Sequence, residues 1–162
     1  MMPLVHLRCK SMYMTRICNT VQIQVPIEEA FDYVTTPGNW PAWHPSSLGV
    51  SGATNHSLEP GEKVTEEYLV AGRRGSVEWT VRERTPPRRW VIEGRVTGGG
   101  GGTITYTLTP QESGAVFERD FVYTMSNALL ALLDRLVLRR RVEAESAEAL
   151  RRLRDVLKRK TA

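Results

Sequence analysis

Residues 38–47 read GNWPAWHPSS, with Trp40 and Trp43 three apart, His44 next, and Pro41 and Pro45 flanking the aromatics. Histidine titrates near neutral pH, so His44 could move a proton or hold a polar ligand group at a pocket mouth. It could equally be a corner residue whose ring bonds nearby backbone, since no Asp, Glu or Ser stands at a diagnostic catalytic spacing. Arg119 lies between Phe117 and Phe121, on what alternation makes the apolar face of a strand. A buried arginine needs a carboxylate or an anionic ligand. Glu66, between Val64 and Tyr68, is a possible partner, and the pair could orient a carboxylate, carbonyl or phenol. The plainer alternatives for Arg119 are a salt bridge at a sheet edge or a parity shifted by a bulge.

Other chemistries find little support. His6, His44 and His56 are the only histidines, and no two stand at metal-ligand spacing, so neither a metal nor another cofactor is expected. Cys9 and Cys18 are poor nucleophile candidates, and no G-x-S-x-G elbow occurs. The GGGGG run at 98–102 lacks the Lys-Ser/Thr and the helix of a phosphate loop and reads as a hairpin turn.

The elements that would carry these residues follow from periodicity. RICNTVQIQV (16–25) is rich in β-branched residues and reads as a strand. Pro26 fits a first helical position, and IEEAFDYV places Ile27, Ala30, Phe31 and Val34 on one face. Thr36-Pro37 can cap and start a second short helix through Trp43, which Pro45 stops. Strands then follow at 48–53, 62–71, 76–85, 89–97, 103–109 and 115–124, most of them divided by GRRG, TPPR, GGGGG and PQESG. Val77, Trp79 and Val81 share a face, as do Trp90, Ile92, Gly94 and Val96, then Ile104, Tyr106 and Leu108. Phe117, Arg119, Phe121 and Tyr123 do likewise. From about Asn127 to Lys160 the period is helical, with Val142, Ala149, Leu150, Leu153 and Leu157 in one stripe and basic residues opposite. The preceding ALLALLDRLVL is apolar almost all round, which predicts a gate over a pocket, a dimer contact or a well-buried helix.

The chain has 162 residues, enough for one domain with a real core, here expected over 14–162 behind a tail at 1–13. Its two cysteines point to no disulfide framework and to a cytoplasmic protein. The net charge is +4, but residues 139–160 alone hold nine Lys/Arg and four Asp/Glu, so the rest is close to neutral. A nucleic-acid or membrane-surface partner is therefore weakly supported and rests on the basic helix alone.

A long antiparallel sheet curved round one helix leaves an apolar space unless large side chains fill it. Taken in order, VQIQVPIEEAFDYVTTPGNWPAWHP, SVEWTVRERTPPRRWVIEGRVTGGGGGTITYTLTP and GAVFERDFVYTM resemble the START-related superfamily, in particular its polyketide cyclase/dehydrase-like branch. The resemblance covers roughly 15–157. It implies an α+β helix-grip fold, in which a curved antiparallel sheet wraps a long C-terminal helix and two short helices follow the first strand. It also implies a cavity between sheet and helix for a hydrophobic small molecule. The expected lining includes Trp43, His44, Glu66, Tyr68, Trp79, Trp90 and Ile92. Tyr106, Phe117, Arg119 and Phe121 complete the strand faces, and Leu129, Leu132, Leu133 and Leu136 the helix side. If the cavity catalyses a cyclase or dehydrase reaction, His44, Tyr106 and Arg119 are the candidates.

Overall fold

Apolar and polar residues alternate along seven segments, and in the computed structural model, which describes residues 14–125 and 132–160, these become one antiparallel sheet. The strands are β1 (Met14–Ile23), β2 (Ser47–Gly52), β3 (Lys63–Val70), β4 (Arg73–Thr85), β5 (Arg89–Val96), β6 (Gly101–Gln111) and β7 (Gly114–Thr124). Their spatial order is β1-β7-β6-β5-β4-β3-β2. Strands β2 to β7 thus form a meander, and β1 pairs along β7 from Met14↔Thr124 to Ile23↔Ala115. The helices are α1 (Ile27–Thr35), a 3-10 turn (Pro37–Asn39), α2 (Trp40–Trp43) and α3 (Arg139–Lys160), which a π-helical turn (Asp134–Leu138) precedes. The curved sheet closed by a long C-terminal helix is the expected helix-grip arrangement.

Local chemistry moves several boundaries. Pro26 stands just ahead of α1 rather than inside it, accepting the Ala30 N–H at 3.0 Å. Thr36 stands at the N-cap of the 3-10 turn that Pro37 starts, but its hydroxyl makes no cap bond and donates back to the Asp32 carbonyl at 2.6 Å. Between β3 and β4 the turn is Ala71-Gly72, both at positive φ, so Arg73 and Arg74 extend the strand instead of forming the turn. A two-residue hairpin favours this backbone because its twist matches that of the strands.

One core fills the sheet between α1 and α3. Trp40 meets Trp90 edge-on at 6.3 Å, Trp90 stacks on Tyr106 at 5.3 Å, and Tyr106 meets Phe117 at 5.0 Å. The stripe of α3 buries Ala149, Leu150, Leu153 and Leu157, and its last turn lays Lys160 over the Tyr33 ring at 4.3 Å. The opposite face of α3 is exposed and internally paired, with Arg139 on Glu143, Arg151 and Arg152 on Glu148, and Arg154 on Asp155. No described helix is long and apolar enough to cross a membrane.

Candidate ligand cavity

A cavity of about 340 Å³ lies between the sheet and the start of α3. That is room for roughly ten waters, far more than a packing defect, and near the lower end of small-molecule sites. Trp40, Trp43, Trp79, Ile92, Ile104 and Tyr106 form its buried walls. Arg73, the glycines at 99–102, Thr124, Met125 and Leu138 form its rim, and Val142, Glu145 and Ser146 cover it from α3. Glu145 ties that cover down by accepting the Ser46 hydroxyl at 2.7 Å and the Ala71 N–H at 3.4 Å.

The space persists because two aromatic side chains lie against backbone that has no Cβ. Trp79 pairs across the sheet with Gly94, and Tyr68 with Gly75. A Cβ at Gly94 would overlap the Trp79 ring, and one at Gly75 would overlap the Tyr68 ring. Glycine inside a strand often marks such a close approach. The Trp79 indole is held in place by its N–H, which donates to Glu66 Oε2 at 2.7 Å.

The polar groups on the wall are unevenly satisfied. His44 ends α2 with extended backbone (φ −96°, ψ 112°), as the following proline requires. Its Nδ1 accepts the Ser46 N–H at 3.3 Å, so a neutral ring carries its proton on Nε2. Burial, then the charges of Arg119 and Arg152, hold the imidazole well below its ordinary range, so it is neutral at neutral pH. Arg119 is 5% exposed. Its Nη1 donates to the Ser146 hydroxyl at 3.3 Å, and its guanidinium lies 5.2 Å from the centre of the Phe121 ring. Among the described residues no carboxylate comes within ion-pair distance of it. Burial pushes Glu66 upward, against Ser47, Trp79 and the Arg119 charge. Burial likewise pushes Tyr106 up to about 12, so the phenol stays protonated and can donate. Tyr106 is the cross-strand partner of Arg119 in the β6–β7 pair.

Of the expected lining residues, Trp43, His44, Glu66, Tyr68, Trp79, Ile92, Tyr106, Arg119 and Phe121 stand on the cavity wall. Trp90 and Phe117 do not. They share the inward parity but are wholly buried in the core beside Tyr106. Leu132, Leu133 and Leu136 lie away from the wall, 55%, 38% and 66% exposed, and Leu129 lies outside the described residues. The expected contact between Glu66 and Arg119 is not made, because Trp79 on the strand next to β3 takes the carboxylate. Sequence reasoning missed Ser146, which sits on the α3 stripe among alanines and leucines and is 2% exposed. It also missed Gly75 as a platform for Tyr68, and assigned Gly94 only a face. Among the described residues no cluster of three His, Cys, Asp or Glu could hold a metal ion.

A curved antiparallel sheet that a C-terminal helix closes over an apolar cavity defines a helix-grip protein. The chain belongs to the polyketide cyclase / dehydrase and lipid transport family, whose model matches residues 14–158. No curated protein matches it. Among solved structures it is similar to protein CV1439 from Chromobacterium violaceum, at TM-score 0.67 and 17% identity, over 88% of this chain and 96% of that one. Protein Ms6760 from Mycobacterium smegmatis gives TM-score 0.63 at 18% identity, over 90% and 92%. DynU16, a protein in the dynemicin biosynthetic locus, gives TM-score 0.62 at 16% identity, over 88% of this chain and 47% of that one. At such identities the likeness is one of fold.

Proposed function

We propose that the protein binds a hydrophobic or aromatic small molecule in the cavity between sheet and α3. One observation carries this reading: an apolar, aromatic-walled space of about 340 Å³ with a few polar groups at fixed places. That composition is the usual one for a small-molecule site. The family description, which names both polyketide cyclases and lipid transport, supports the same reading. Native mass spectrometry of the protein as purified, followed by a panel of lipids and polyphenols, tests it. The expected result is a one-to-one non-covalent complex with at least one class. Failure of every panel member to bind would remove the reading.

A second reading, a cyclase or dehydrase using the same cavity, is favoured by the meeting of His44, Tyr106 and Arg119 on the cavity wall. Such catalysis is largely a matter of holding a reactive chain folded, assisted by proton donors. With Nδ1 of the neutral His44 taken by the Ser46 N–H, its Nε2–H and the protonated Tyr106 hydroxyl suit hydrogen-bond donation to a carbonyl oxygen. Turnover of a poly-β-carbonyl panel should then be lost in His44→Ala and Arg119→Ala with the melting temperature nearly unchanged. Retained turnover in both variants would exclude these residues from chemistry.

A further inference from the structure

The cavity reading leaves open which head group the ligand carries. Three buried nitrogens of wall residues answer that question: Nε1 of Trp43, Nε2 of His44 and Nε of Arg119. None has a hydrogen-bond acceptor among the described residues. Indole and guanidinium nitrogens can only donate. The His44 nitrogen also donates, because Ser46 occupies Nδ1 and leaves the ring proton on Nε2. The wall therefore carries a surplus of donors.

The other three tryptophans show that this surplus is local. The N–H of Trp40 donates to the Val34 carbonyl at 2.9 Å, that of Trp90 to the Leu58 carbonyl at 3.3 Å, and that of Trp79 to Glu66 at 2.7 Å. Only the indole beside His44 lacks an acceptor. A buried donor without an acceptor loses its bonds to water and gains none in return, so three on one site call for a complement.

Charge narrows what that complement is. Arg119 is buried against the hydroxyls of Ser146 and Tyr106 and the face of Phe121, none of which cancels a positive charge. Glu66 acts on it only at a distance, and its carboxylate is already held by Trp79. A neutral acceptor would satisfy the N–H groups but leave the guanidinium without a counter-charge.

We propose that the cavity selects an apolar ligand bearing an oxyanion, which Arg119 receives together with the N–H groups of Trp43 and His44. The apolar body lies against Trp79, Ile92 and Ile104. This rests on the cavity being a ligand site. The shared chemistry is the oxyanion, whether its body is an aliphatic chain or an aromatic ring system.

Calorimetric titration with two matched pairs tests the proposal: dodecanoate with methyl dodecanoate, and naphthoate with methyl naphthoate. At least one acid should bind about tenfold or more tighter than its ester. The pair that binds tighter identifies the body as aliphatic or aromatic. Arg119→Met should bring acid and ester to parity, and Arg119→Lys should recover part of the preference. His44→Phe should cost the acid a smaller factor. Equal binding of acid and ester by the unaltered protein overturns the oxyanion assignment and leaves the cavity reading standing. Binding by none of the four overturns both. If Arg119→Met does not fold, the acid-to-ester ratio of the unaltered protein still decides.

Discussion

Two arginines of this protein lie over phenylalanine rings, and their surroundings differ in kind. Arg84 sits 5.4 Å from the centre of Phe31, donates to the Ser57 hydroxyl at 3.2 and 3.4 Å, and pairs with Glu59 at 3.3 Å. Ser57 in turn bonds Thr35, whose hydroxyl donates to the Phe31 carbonyl. Nearby, the indoles of Trp40 and Trp90 both find carbonyls. Every group named there has its partner, and the result is a loop stapled to α1. Arg119 has the same ring contact at 5.2 Å but no carboxylate, and two more residues of the cavity lining, Trp43 and His44, also carry buried N–H groups without an acceptor. A fold can satisfy such groups, as the first region shows. Groups left unmatched in the lining of a hollow are the ones the proposed ligand would complete.

The largest expected effect comes from erasing the hollow. Gly94→Ala puts a Cβ where the Trp79 ring lies, so the ring must swing off the sheet and its bond to Glu66 must break. Overpacking of this kind costs about 1–3 kcal/mol. The melting temperature should fall, and titration with the acid and ester probes should show binding lost altogether. A variant that keeps full binding would show that Trp79 does not define the cavity.

The two arginines themselves give the next test. Arg84→Met removes an ion pair, two hydrogen bonds and a ring contact from a matched network, and should cost about 1–2 kcal/mol in chemical denaturation. Arg119→Met removes a buried charge that has no carboxylate partner. Replacing such a group with an apolar one of similar volume is often neutral or stabilising. Its midpoint should stay level or rise. A loss as large as that of Arg84→Met would mean that Arg119 is matched by the protein itself.

This contrast also shows what could be read from the sequence. Parity placed Arg119 beside Phe117 and Phe121, and Glu66 beside Val64 and Tyr68, because alternation specifies the face of a strand. Parity does not specify position along the sheet, which is why Trp90 and Phe117 read like wall residues yet lie in the filled core. Nor could it show that Glu66 and Arg119 sit on strands separated by three others, with Trp79 nearer to the carboxylate. The glycine platforms needed register, since Gly94 matters only as the partner of Trp79. The apolar run before α3 suggested burial, but apolarity states a preference without naming a cover, and Leu132, Leu133 and Leu136 are exposed.

The smallest effect concerns the neutral His44. Burial, with Arg119 and Arg152 adding repulsion, lowers its pKa in the folded state from the ordinary 6.5. Below that value the unfolded chain binds a proton that the folded chain refuses. Stability therefore rises with pH through this window and is lost on acidification from 6.5 downward. From about pH 7 to about pH 5.5 the loss attributable to His44 should be about 1 kcal/mol, and His44→Phe should remove it from the pH profile of denaturation. The comparison of the two regions adds a second sign. Arg119→Met takes away part of the repulsion, so it should shrink the acid loss, whereas Arg84→Met should leave it unchanged. If both arginine variants shift the profile equally, His44 is not coupled to the charge beside it. If Arg119→Met alone does, the unmatched donors of the cavity wall form one electrostatic unit, in which the neutrality of His44 is maintained in part by the same guanidinium that would receive the ligand.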